Sequence, residues 1–176
     1  MPSDRDKPTV YTVEGGVLSL SGSALEAFLR DVLARGVPFR FSARGMSMDP
    51  FIRDGDAITI VPLASGRPVE GDVVALCSPR DGRLIVHRVV AAGPAGFVVR
   101  GDANDDADGV VTRQEVLGQV SAVHRGDRRV VAGSGPERRL IALLSRFGLL
   151  RPLVDVARRT LAWLRRRRRR SHHYAS

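Results

Sequence analysis

The chain has 176 residues, 43% of them hydrophobic, with 18 glycines and a net charge of +9, which suits one loop-rich domain with appendages and excludes a disordered chain. Its single cysteine, Cys77, cannot close an internal disulfide, and no uncharged apolar stretch reaches the roughly 18 residues of an ordinary membrane-spanning helix. The positive charge belongs to one end: residues 1–135 carry 16 Lys+Arg against 17 Asp+Glu and residues 136–176 carry 12 against 2, so the high pI is no argument for nucleic-acid binding by the body.

Residues 1–22 read as a polar N-terminal arm, with Val10-Tyr11-Thr12-Val13 a short strand. No apolar run follows the opening Met1-Pro2-Ser3-Asp4-Arg5, so a signal peptide is not expected there. A helix is predicted over 23–36. Ser23 and Glu26 stand at capping-box spacing, Leu25, Phe28, Leu29, Val32 and Leu33 share a face, and Gly36 ends it. Together with the stretch to residue 132 it forms the predicted domain, 23–132. Short strands are expected at 39–43, 57–61, 72–77, 84–90, 96–100, 116–123 and 128–132, separated by turns such as Asp54-Gly55, Glu70-Gly71 and Gly126-Asp127. The fold class is therefore mainly β, a coiled antiparallel domain with one leading helix. Residues 133–136 read as a linker. Residues 137–176 read as a basic amphipathic helical tail, helical over 137–147 and 151–168 with a break near Gly148 and Pro152, ending in the six arginines Arg165–Arg170.

Of the 28 basic residues only Lys7 is lysine. Arginine keeps its proton at any ordinary pH, so a general base must come from histidine or a carboxylate. His124, His172 and His173 read as surface residues. His87 lies inside the apolar run Leu84-Ile85-Val86-His87-Arg88-Val89-Val90, where a strand would hold it rigidly. Ser47, in Gly45-Met46-Ser47-Met48-Asp49-Pro50, is a hydroxyl at a strand end, and a serine oxygen needs a neighbouring base to act as a nucleophile. The loop 100–109 carries Asp102, Asp105, Asp106 and Asp108. One of these suits an imidazole-orienting role. The alternatives are an acidic turn or, with Asn104, Asp106, Asp108, Gly109 and Glu115 at EF-hand spacing, a calcium loop; the strand-like flanks oppose the last, which needs helices.

Read in order, the strand leading to Ser47-Met48-Asp49-Pro50, the Asp54-Gly55-Asp56 turn, Gly71-Asp72-Val73-Val74, Ile85-Val86-His87-Arg88-Val89-Val90 and Gly101-Asp102-Ala103-Asn104 resemble the signal peptidase I-like serine peptidases, in their Ser–His branch. The likeness covers roughly residues 39–123. It implies Ser47 as nucleophile, His87 as general base, Asp102 as the first acid of the Gly-Asp-x-Asn loop and Asp108 as the acid serving the base, with Asp106 a local competitor. It implies a serine endopeptidase that cleaves an extended peptide in a leader or signal segment, with no cofactor and no metal. The chain departs from the pattern at Gly45, where many members have a serine that assists the oxyanion, and in lacking a membrane-spanning anchor. That leaves a cytoplasmic or peripherally membrane-associated protein as the expectation. Residues 137–170 are then the candidate contact with an anionic membrane surface, while nucleic-acid binding by the arginines would be nonspecific. Two rival readings stand beside this one. Self-cleaving repressor-type peptidases share the catalytic fold but need a helix-turn-helix and a lysine base, which residues 1–37 do not supply. A non-catalytic membrane- or nucleic-acid-surface binding module with a degenerate site is the other, and Gly45 is the residue that favours it.

Overall fold

A computed structural model describes residues 13–14, 17–18, 23–63, 66–78, 83–131, 133 and 135–171. In chain order they form β1 (Val13–Glu14), β2 (Val17–Leu18), α1 (Ser23–Ala34), β3 (Phe39–Ser42), β4 (Ala57–Val61), β5 (Val73–Cys77), β6 (Leu84–Gly93), β7 (Gly96–Arg100), β8 (Gly109–Val111), β9 (Val116–Arg125), β10 (Arg128–Arg129), α2 (Arg138–Arg146) and α3 (Leu150–Ser171). The architecture is mainly β. One open antiparallel sheet of eight strands runs in the order β3-β4-β9-β5-β6-β7-β8, with β10 paired to β9. The hairpin β1–β2 stands apart from it. Of the strand expected at 10–13, only Val13 falls within the described residues.

Central β5 explains the layering. Val73, Val74, Ala75 and Leu76 are all buried, so both of its faces are covered, and its sequence is a continuous apolar run rather than an alternation. Val74 and Leu76 join Val89, Phe97, Val99, Val111 and Val116 in one core. Ala75 joins Ile60 and Leu117 beneath Leu29 and Leu33 of α1. A third core of Ala43, Met48, Ile52, Ile58, Val73 and Val123 lies under the turn that follows β3. Register shifts between Thr59 and Ile60, Ala75 and Leu76, and Val89 and Ala91 bend and twist the strands.

The sequence expectations need correction at the helical break and in the acidic loop. Gly148, with φ of +71°, breaks the helical stretch alone, because Pro152 sits in the first turn of α3, where its missing N–H costs nothing. β8 occupies part of the acidic loop. The EF-hand reading fails, since strands β7 and β9 flank residues 104–115 and β8 lies inside them. The Glu26 carboxylate accepts from Arg30 at 2.8 Å and from the Cys77 thiol, while the Ser23 side chain of the expected capping box lies outside the described residues. The N–H groups of Gly133 and Gly135 both donate to Glu137 Oε1, at 2.8 and 3.2 Å.

Candidate active site

The turn after β3 is fixed before its serine is placed. Ala43 N–H donates to Asp56 O at 2.7 Å, Gly55 N–H to Ala43 O at 2.9 Å, and Gly45 N–H to Asp54 Oδ1 at 2.9 Å. Asp49, Phe51 and Ile52 N–H groups then turn back on Met46 and Met48 carbonyls. Buried Met48 and Ile52 pin this turn to the core, while Ser47 between its neighbours remains accessible. The loop 101–104 clamps it from the other side. Ala103 N–H donates to Ser47 O at 2.8 Å. Gly101 passes so close that a Cβ there would stand 2.7 Å from Ser47 O, which is why this position takes glycine.

His87 lies on β6 opposite Val74 and is 4% exposed. Its Nε2 is 3.0 Å from Ser47 Oγ, and its Nδ1 is hydrogen-bonded to Asp108 Oδ2. A carboxylate oxygen accepts, so Nδ1 carries the proton and Nε2 presents its lone pair to the serine O–H. Asp108 is itself held where the chain enters β8, its N–H donating to Val99 O at 3.0 Å. Three distant stretches thus converge in a serine–imidazole–carboxylate line.

Asp102 is engaged elsewhere. Both its carboxylate oxygens are taken by Arg88, Nε at 2.9 Å and Nη2 at 2.7 Å, and both side chains are fully buried. Arg88 Nη1 also donates to Gly71 O and Gly133 O, at 3.0 and 2.9 Å. The pair therefore ties the Gly-Asp-x-Asn loop, β6, Gly71 and Gly133 together. A carboxylate–arginine contact also occurs at the Gly55-Asp56 and Gly71-Asp72 turns. Asp56 accepts Arg53 N–H at 2.8 Å and a bidentate contact from Arg125 at 2.9 and 2.7 Å. Asp72 accepts Val69 N–H at 2.9 Å and lies 3.0 Å from Arg138 of α2. The planar guanidinium suits such two-pronged, buried carboxylate contacts better than an ammonium would. Arg125 holds the Asp56 carboxyl below its ordinary range.

A cavity of about 420 Å³ opens beside Ser47. Met46, Asp49, Asp102, Ala103 and Asn104 line the side made by the β-domain, and Arg151, Val154, Asp155 and Arg158 of α3 line the other. Arg158 pairs with Asp49 and Arg151 with Asp105. Sequence reasoning missed this wall, because nothing local ties residues 151–158 to Ser47. It also missed Arg88, whose one visible signal was a cation inside an apolar strand directly after His87. Among the described residues no group of three or more His, Cys, Asp or Glu is placed to hold a metal ion, and no helix is long and apolar enough to cross a membrane. No protein-family model matches the chain, and a search of curated proteins returned no match.

Proposed function

We propose that this chain is a serine endopeptidase of the signal peptidase I-like kind, working through an acyl-enzyme. The observation that carries the reading is the Ser47 Oγ–His87 Nε2 contact at 3.0 Å with Asp108 on Nδ1. A serine hydroxyl hydrogen-bonded to an imidazole, itself oriented by a carboxylate, is an activated nucleophile. The order of the motifs along residues 39–123 supports it independently of the geometry.

In the proposed reaction His87 Nε2 takes the Ser47 proton as Oγ attacks the scissile peptide carbonyl. Asp108 stabilises the imidazolium, which then delivers its proton to the departing amine. Water, deprotonated by the same nitrogen, hydrolyses the ester and restores Ser47. The Ser47 backbone N–H is one donor for the oxyanion. Gly45 supplies no side chain to the oxyanion, and its φ of +90° disfavours one. The N–H groups of the turn therefore carry that task. Substrate binds extended along β3, an outer strand of the sheet that pairs with β4 and leads directly to Ser47. A leader or signal segment, unfolded before cleavage, meets that requirement.

The test is labelling with a fluorophosphonate probe, paired with cleavage of a peptide library. Wild type should label and cleave, while Ser47→Ala and His87→Ala should do neither. Absence of labelling of the folded wild type from pH 6 to 9 would sink the reading and leave a binding module with a peptidase-like site.

A further inference from the structure

Helix α3 meets the rest of the protein through buried Leu150 and half-buried Val154 and leaves most of its other apolar side chains in solvent. Its charged arc, Arg151, Asp155 and Arg158, faces the protein, where the two arginines pair with Asp105 and Asp49. The leucines beyond Leu150 face outward: Leu153 is 52% exposed, Leu161 55% and Leu164 44%. At 3.6 residues per turn Leu153 and Leu164 lie roughly two-fifths of a turn from the middle of the cavity-lining arc, and Leu161 about a fifth. The apolar surface begins before α3, with Leu143, Phe147 and Leu149 at least half exposed. Among the described residues, nine of the fifteen exposed large apolar side chains fall between residues 140 and 164. A concentration of that kind marks a contact surface.

We propose that the outer face of α2 and α3 docks on an anionic lipid bilayer. Charge decides among the occupants. Residues 136–176 carry 12 arginines and two carboxylates, and six of the arginines follow Leu164 consecutively. A second copy would bury the leucines but bring up another such arginine run, with few acids to pair it. A nucleic acid would take the arginines and leave the leucines in water. An anionic membrane surface meets both demands, apolar side chains entering the acyl boundary and arginines reaching the headgroups. Because one helix carries both the lipid face and a wall of the Ser47 cavity, docking places that cavity at the bilayer surface without breaking the Arg151 and Arg158 pairs. The docking itself does not depend on Ser47 being catalytic.

The experiment is flotation of the full-length chain with phosphatidylglycerol-containing vesicles and with pure phosphatidylcholine vesicles. Trp163, the only tryptophan, reports insertion by a blue shift of its emission. Wild type should float with the anionic vesicles and not with the neutral ones. Leu153→Ser/Leu161→Ser/Leu164→Ser should lose about tenfold or more in vesicle affinity, while keeping the wild-type circular dichroism, since all three side chains are solvent-exposed. Ser47→Ala should float like wild type, which separates this outcome from the fate of the peptidase reading. Flotation undiminished by the three serines overturns the proposal, as does no flotation with anionic vesicles. A dimer that the triple substitution dissociates, without flotation, also overturns it and assigns the face to a second copy. Duplex DNA bound in place of vesicles, with unchanged affinity in the triple variant, overturns it in favour of the nucleic acid.

Discussion

Asp102, Asp106 and Asp108 lie within seven residues, and only their contacts separate their roles. Asp108 holds the Nδ1 proton of His87. Asp108→Asn would let Nδ1 accept from the amide and leave the proton on Nε2, the wrong tautomer for a base. The rate of Ser47 acylation should then fall by about 10⁴, with little change in urea midpoint, whereas Asp106→Asn should acylate like wild type. Asp102→Ala should do the reverse of Asp108→Asn in kind. It leaves Arg88 charged and buried without its carboxylate, a loss on the order of 3–5 kcal/mol in urea unfolding. Arg88 occupies both Asp102 oxygens, which gives that carboxylate a supporting contact. That Ser47, His87 and Asp108 come together was legible, because their types and order match a serine–imidazole–carboxylate pattern. Arg88 was not, because its partners sit 14 and more residues away, on other loops.

Among the elements, β9 shows how a small residue admits a helix. At Gly118 an added Cβ would stand 2.6 Å from Ile60 Cγ2, 2.6 Å from Val61 O and 3.0 Å from Leu33 Cδ1. Gly118→Ala should therefore push α1 off β4 and β9, destabilising by about 1–3 kcal/mol in denaturant titration while probe labelling of the folded fraction persists. The α1 register, β4, β5, β7 and β9 could be read from apolar periodicity. β8 could not, since its three residues follow an acidic run, and its pairing with β7 is what makes it a strand. The placement of α3 was equally hidden. Its pairs with Asp49 and Asp105 link positions 109 and 46 residues apart, and exposed pairs of this sort contribute only ~0–1 kcal/mol each. Arg151→Ala/Arg158→Ala should accordingly leave the urea midpoint near wild type. Within the peptidase reading it should shift which peptides are cleaved, seen as a KM change across a library, because both side chains wall the cavity.

At the scale of the whole molecule, pH acts through groups that bridge elements. Arg125 depresses Asp56, Arg30 and then the Cys77 thiol depress Glu26, and the Thr112 side chain depresses Glu115. A depressed carboxyl binds its proton less readily folded than unfolded. Its contribution is present above the ordinary carboxylate range and is lost as pH falls through the lower folded value. Cys77 works from the alkaline side. Burial first, and donation to the Glu26 carboxylate second, push its thiol up to about 12. The unfolded chain gives up that proton near the ordinary thiol value of about 8.5 and the folded chain does not. Between those limits the unfolded state binds fewer protons, so stability declines with rising pH. Urea midpoints should form a plateau near neutrality that falls below about pH 4 and again above about pH 9. Cys77→Ala should remove the alkaline limb specifically, leaving the acid limb set by Asp56 and Glu115 in place. An alkaline limb of equal slope in that variant would contradict the argument. In native wild type the thiol should resist iodoacetamide at pH 8, reacting only as fast as the chain opens, because the thiolate is the reactive form.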